Sequence, residues 1–332
     1  MKELIQKLVE VTGPSGFEHN VRDLILKEVK DHVDEYKVDN LGNLIVRKGK
    51  KGSKGIRIML AAHMDEIGVI VTHVDDNGFA RFHTIGGVME RNCAGGRVRF
   101  MNGVGGVIGA EPGGTRQTMP NIPKLYIDTG AKNKAGCKIK VGDVGAFERT
   151  FMDLGDKFVS KAIDDRIGCA ILIELMKILP DGPNEIYGVF TTQEEVGLRG
   201  ATASAYSVNP DLGISIDVTL VGDTPKANFM EVGLGKGPAI KIKDGGMISD
   251  PRVVSWMEAA AKRIRIPYQL EILGGGTTDA KSMQVSREGV PVGCVSIPCR
   301  YVHSPSEMAD YSDVNNAIKL FAELMKKPVN LK

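Results

Sequence analysis

Ile186-Tyr-Gly-Val-Phe-Thr-Thr-Gln-Glu-Glu-Val-Gly197 is the stretch on which the reading of this chain turns. Its first half is an apolar, β-branched run suited to a buried strand, and the run gives out at Gln193 into the acidic pair Glu194-Glu195. Other chemistry-bearing residues stand where similar runs end. His63-Met-Asp65 follows Ile56-Arg-Ile-Met-Leu-Ala-Ala62, and Asp217 follows Leu212-Gly-Ile-Ser-Ile216. His303 comes after Val295–Val302, and Asp164-Asp165 introduce an apolar helical stretch. In an α/β sheet the carboxyl ends of the strands share one rim, and ligands bind there. A rim carrying two histidines and four or more carboxylates is costly to bury unless something cationic neutralises it. A pair of divalent metals would do so.

Outward from that stretch the pattern changes twice. Up to about residue 70 it is α/β, with amphipathic helices at about 2–12 and 18–34 and strands near 42–47 and 56–62. Gly13-Pro14-Ser15-Gly16 breaks the two helices apart. From Val69 to about Phe147 the chain reads as short alternating strands between glycine turns. Asn77-Gly78 marks a hairpin, and further strands are expected at Arg97–Phe100, Gly106–Ile108 and Lys138–Lys140. After Lys161 the alternation resumes: helix Arg166–Leu179, strands at 186–192 and 212–216, helix Val254–Arg265, strand Val290–Ile297 and helix Val314–Lys327. The expected architecture is α/β with a small all-β domain inserted: residues 1–68 and 156–332 form the α/β part and 69–155 the insert.

Composition narrows the function. The 332 residues are 42% hydrophobic and 25% charged, enough for an ample core. A net charge of +2 without a basic block gives no nucleic-acid footprint. No stretch approaches the roughly 20 apolar residues of a membrane span, and the first ten residues, Met1–Glu10, carry charges throughout. Five scattered cysteines with no Cys-x-x-Cys pair fit reduced thiols, and the expected location is cytoplasmic.

Each candidate site has a simpler explanation beside the catalytic one. His63 could be a satisfied histidine at a strand end. In an extended segment residues i and i+2 face the same way, so Asp65 can reach its ring, as a carboxylate does behind a metal-bound imidazole. N-capping accounts for one of Asp164-Asp165 but less well for both, and a carboxylate that bridges two metals needs both its oxygens. Glu194-Glu195 resist the simple reading, since adjacent side chains at a strand end diverge. One can bind metal while the other holds the water that the metal polarises. Asp217 and His303 are weak singly and gain weight from sharing the placement. The His, Asp, Glu, Asp, His set suits two zinc or cobalt ions better than magnesium. Gly103-x-Gly105-Gly106-x-x-Gly109 and Gly233-x-Gly235-x-Gly237 do not match a dinucleotide fingerprint, and there is no Walker loop, G-x-S-x-G or H-E-x-x-H. Gly274-Gly-Gly-Thr-Thr-Asp279 reads either as a phosphate nest or as a close backbone approach to substrate.

His63-x-Asp65, Asp164-Asp-Arg166, Glu194-Glu195, Asp217-Val-Thr219 and His303-Ser-Pro305 together resemble the M42 metallo-aminopeptidases, the tetrahedral or glutamyl-aminopeptidase group, over essentially the whole chain. The resemblance implies a mixed-sheet metallopeptidase core with helices on both faces. It implies His63 and Asp217 on one metal, Glu195 and His303 on the other, Asp164 bridging, Glu194 as general base and Asp65 orienting His63. It also implies a β insert that mediates self-association, from dimer to dodecamer, and peptides as substrates. The expected activity is hydrolysis of an N-terminal peptide bond by two divalent ions, zinc or cobalt. The rivals are a related amidohydrolase (dipeptidase, carboxypeptidase or deacylase), an endoglucanase and a non-catalytic scaffold. A single tryptophan, Trp256, supplies little of the aromatic platform of a glycan groove.

Overall fold

The computed structural model describes residues 1–332 apart from 50, 51, 53, 54, 113–119, 228, 229, 330 and 332. Eleven of the described strands form one mixed sheet. It begins with β1 (Glu35–Val38), β2 (Leu44–Lys48) and β3 (Arg57–His63). The chain then closes a six-stranded barrel from β4 (Gly68–Val74), β5 (Ala80–Ile85), β6 (Arg97–Phe100), β7 (Gly105–Ala110), β8 (Leu125–Asp128) and β9 (Val144–Phe147). It returns to the large sheet through β10 (Met152–Asp153), β11 (Lys157–Ser160), β12 (Glu185–Thr191) and β13 (Leu212–Thr219). The last four strands are β14 (Ala239–Lys243), β15 (Gln269–Ile272), β16 (Val292–Arg300) and β17 (Glu307–Asp310). The helices are α1 (Lys2–Glu10), α2 (His19–Val29), α3 (Ile163–Ile178), α4 (Arg199–Val208), α5 (Pro251–Ile264), α6 (Asp279–Gln284) and α7 (Tyr311–Met325).

Strand order across the sheet is β1-β2-β12-β3-β13-β16-β17-β11-β10, with β14 on β16 and β15 on β14. Its centre, β12-β3-β13-β16, is parallel throughout, so four carboxyl ends reach one rim. Side chains alternate between the two faces of a strand, and each central strand feeds two cores. Ile58, Leu60 and Ala62 of β3 join the core under α1, α2, α3, α5 and α7. Met59 and Ala61 pack on the opposite face with Ala205 and Val208 of α4 and Ala280 and Met283 of α6. Helices therefore cover both faces, as expected. α3 is apolar all round and buried almost throughout because it lies between the sheet and α1, α2 and α7.

The barrel has its own core, including Val69, Val71, Phe82, Val98, Phe100, Ile108 and Phe147. Its β4–β5 hairpin turns at Asn77-Gly78, where Gly78 takes the positive φ (90°) that a side chain would strain. The strand expected at Lys138–Lys140 is absent: these residues form an irregular turn. Ile139 is buried, which produces the alternation, but the Lys140 N–H goes to Asp143 Oδ2 and the Asp143 N–H returns to the Lys140 carbonyl. A barrel strand not expected from the sequence, β8, lies earlier in the chain and pairs with β5 and β7.

Candidate functional site

His63, Asp164, Glu194, Glu195, Asp217 and His303 line one cavity of about 610 Å³ at the carboxyl rim of the parallel strands. His63 is the last residue of β3 and Asp217 lies near the end of the neighbouring β13. Glu194 and Glu195 follow β12 on the other side of β3. Asp164 comes from the start of α3, and His303 from the turn between β16 and β17. Sheet order therefore brings together groups 240 positions apart in the chain, from 63 to 303.

Asp164 is at the centre. Its Oδ1 lies 2.9 Å from His63 Nε2 and its Oδ2 3.4 Å from His303 Nε2. One carboxylate is thus divided between two histidines. His63 Nε2 is also 4.0 Å from Asp217 Oδ1, and His303 Nε2 is 3.3 Å from Glu195 Oε2. Two groups of three donors result, His63–Asp164–Asp217 and Asp164–Glu195–His303, with the donor atoms of each group within 4.8 Å of one another. They share Asp164.

The charges leave this arrangement short of a cation. Burial, together with neighbouring carboxylates, pushes the Glu194 carboxyl well above its usual range and Asp217 up to about 8. Burial also raises Glu195. Burial alone would lower the His63 imidazole, but its contacts with Asp164 and Asp65 raise it well above the ordinary value. Glu195 Oε1 is buried without a hydrogen-bond partner. An orphaned carboxylate oxygen beside imidazole and carboxylate donors is what a bound divalent ion would satisfy, so the residues present fit metal. Mixed imidazole and carboxylate donors suit zinc or cobalt.

Asp65 behaves differently from the simplest i, i+2 picture. His63 Nδ1 lies 3.1 Å from the Asp65 backbone carbonyl and 3.5 Å from Oδ1 of its carboxylate. The carboxylate, fully buried, accepts from Ser15 Oγ at 2.6 Å and from the backbone N–H groups of Glu194 and Glu195 at 3.0 and 3.2 Å. It ties the β3 exit to the β12 exit. Asp165 caps α3 by accepting from the Gly168 N–H at 3.1 Å and also receives the His63 N–H at 3.2 Å. Asp164 is left free to face the cavity.

Sequence reading passed over several supports. Glu307, buried, accepts from the backbone N–H of Asp164 at 3.0 Å and of His303 at 2.8 Å. Glu18 accepts from Gly16 and Gln193 N–H, and burial and the nearby Asp65 raise it to about 7. Asp279 receives the Thr191 hydroxyl at 2.5 Å, and its other oxygen is buried without a partner. A buried carboxylate that accepts backbone N–H groups has no periodicity to betray it. The one available signal was Glu307 following His303 in His303-Ser-Pro-Ser-Glu307. The Gly274–Asp279 stretch forms part of the cavity wall through Gly275, Gly276, Thr277 and Thr278.

Residues 42–320 match the family model described as M42 glutamyl aminopeptidase. A protein of Acetivibrio thermocellus provisionally named an aminopeptidase is 49% identical over 97% of this chain and 98% of its own. Among solved structures, aminopeptidase APDkam598 from the archaeon Desulfurococcus kamchatkensis superposes with a TM-score of 0.92 at 43% identity, covering 98% of this chain and 94% of that one. The Pyrococcus horikoshii TET1 peptidase, described as assembling into a tetrahedron or a large octahedral shell, gives a TM-score of 0.88 at 33% identity, over 98% of this chain and 99% of that one.

Proposed function

The chain belongs to the M42 glutamyl aminopeptidase family, and from that premise we propose that it is a dinuclear-metal aminopeptidase releasing the N-terminal residue of peptides. The observation that carries the reading is the pair of donor groups meeting at Asp164, whose two oxygens face different histidines. His63 and Asp217 would hold one ion and Glu195 and His303 the other, with Asp164 contributing to both groups. Zinc or cobalt, if bound there, would supply Lewis-acid chemistry, lowering the pKa of water and polarising a carbonyl.

The protein's own groups do the rest. Glu194 accepts the proton of the attacking water and returns it to the leaving amine. Burial and the neighbouring carboxylates raise the Glu194 carboxyl well above its ordinary value, which strengthens it as a proton acceptor and supports this role. Asp65 fixes the backbone that carries Glu194 and Glu195 through their N–H groups, and its contact with His63 Nδ1 helps set that ring. The free α-amine of the substrate is received among the carboxylates of the rim, which favours free over acylated N-termini.

The assemblies described for the P. horikoshii relative support self-association of this chain, which in this reading the barrel serves. Five free thiols support a reducing, cytoplasmic setting.

Initial rates on aminoacyl-p-nitroanilides and their N-acetylated counterparts test the function, using metal-stripped enzyme reloaded with zinc or cobalt. Cleavage should return with metal and be confined to free-amine substrates. Cleavage of N-acyl substrates instead would leave the fold standing and overturn the substrate assignment.

A further inference from the structure

The barrel reaches over the rim at one place. Between β5 and β6 the segment Gly86-Gly-Val-Met-Glu-Arg-Asn92 leaves Ile85 and returns to the barrel core at the buried Cys93. Turn bonds brace it: Val88 N–H to Gly86 carbonyl, Asn92 N–H to Met89 carbonyl and Cys93 N–H to Glu90 carbonyl. Its backbone lies directly on two of the candidate ligands. A Cβ on Gly86 would stand 2.9 Å from Glu195 Oε2, and one on Gly87 would stand 2.4 Å from His303 Nδ1 and 2.7 Å from His303 Cε1. Two bonds cross the gap as well. His303 Nδ1 lies 3.2 Å from the Gly87 carbonyl oxygen, and Asn92 Nδ2 donates to the His303 carbonyl at 3.1 Å.

We infer that this barrel segment is a positioning element of the second metal group, Asp164–Glu195–His303; the inference rests on the metal reading above. A carbonyl oxygen can only accept, so the contact with Gly87 requires the proton of the neutral His303 imidazole to be on Nδ1. Nε2 then carries the lone pair, and Nε2 is the atom facing Asp164 and Glu195. Backbone carbonyls behind metal-bound histidines fix tautomer and ring orientation in this way. His303 needs the help: it sits in a turn with φ of 60° and is only partly buried. Its own turn holds its N–H through Glu307, and the barrel holds its carbonyl and ring. The paired glycines are needed because any side chain at Gly87 occupies the space of the ring. The barrel is in this view part of the metal site and not only a means of assembly.

Titration of the metal-stripped full chain with Co2+, followed by visible absorbance and calorimetry, separates this inference from the one it rests on. Wild type should take two equivalents. Gly87 does not have a positive φ, so Gly87→Ala adds a methyl group against the ring without left-handed backbone strain. It should weaken one equivalent about 10–100-fold and change its absorbance, leaving the other as in wild type. Asn92→Ala should weaken the same equivalent less, and it decides the matter if Gly87→Ala does not fold. Gly105→Ala in β7 makes the same chemical change where the added atom meets only Arg99 atoms at 3.9 Å or more, and it should bind like wild type. Two unaltered equivalents in both Gly87→Ala and Asn92→Ala would overturn the positioning role alone. No binding by wild type would overturn the metal reading and this inference together.

Discussion

Adjacent glutamates at the end of β12 are held apart by what their main chain is attached to. Both N–H groups donate to the Asp65 carboxylate, which turns the Glu195 side chain toward His303 and leaves Glu194 on the cavity wall. The division predicts different outcomes for near-identical substitutions. Glu194→Gln keeps shape and removes the proton acceptor, so metal content should stay at the wild-type level while kcat falls by about 10²–10⁴-fold. Near-normal turnover with full metal would remove Glu194 from the base role. Glu307→Gln changes no group on the cavity wall, yet it replaces an acceptor-only carboxylate beneath two backbone N–H groups with an amide that presents one acceptor oxygen. Metal affinity should drop by roughly tenfold, with the pH dependence of the remaining activity unchanged. A shifted pH profile at full metal occupancy would contradict a purely positioning role. At this scale the sequence was legible wherever a chemistry-bearing residue ended a strongly apolar run. It was silent on Glu18 and Ser15 and marked Glu307 only by its place after His303, because their importance lies in hydrogen bonds to Gln193, Asp65 and Asp164, far off in the chain.

α3 shows the same division between what patterning reveals and what it hides. Its apolar length was plain from Arg166 onward, and the regular helical backbone starts there: within Ile163–Ile178, Asp164 and Asp165 have non-helical φ/ψ, and Asp165 caps the turns that follow. Arg166, fully buried, then does what no periodicity indicates. Its guanidinium donates to the carbonyls of Leu8, Val11, Gly13 and Met64 and pairs with Glu66, which also binds Lys161 at 2.7 Å. The end of α1, the Gly13–Gly16 break and the β3 exit are thereby fastened to one helix. Arg166→Leu should cost about 3–5 kcal/mol, since it strands several carbonyls and removes one of the two cations paired with Glu66, leaving it Lys161 and the Gly13 N–H. The midpoint of urea unfolding measures it, and an unchanged midpoint would mean the loop reorganises without penalty. Other elements escaped for plainer reasons. β1 was not foreseen, because all four of its residues are exposed and supply no apolar alternation, and the helix before it, expected to run to about residue 34, stops at Val29. α4 (Arg-Gly-Ala-Thr-Ala-Ser-Ala-Tyr-Ser-Val) packs through small residues that give little helical signal.

Across the whole molecule, the buried rim is held together most firmly when its carboxylates have a cation. Removing metal should therefore lower the thermal midpoint of the protein. An ion at a hundredfold excess over its Kd stabilises the native state by about 2.7 kcal/mol, so two ions should move the midpoint by on the order of 5 °C or more. Equal midpoints with and without a chelator would sink the prediction. The α/β core and the all-β insert were readable from the switch in period along the chain, because long runs of period two or 3.6 survive any uncertainty about pairing. Strand order was not readable, since β12 and β13 flank β3 only through long crossovers.

That strand order has a consequence for the life of the chain on the ribosome. The rim needs His63 from β3 and His303 from the turn after β16. A growing polypeptide emerges amino-terminus first, so every intermediate that stops before His303 lacks one of the two histidines that face Asp164. The candidate metal site is thus incomplete during synthesis until His303 has been added.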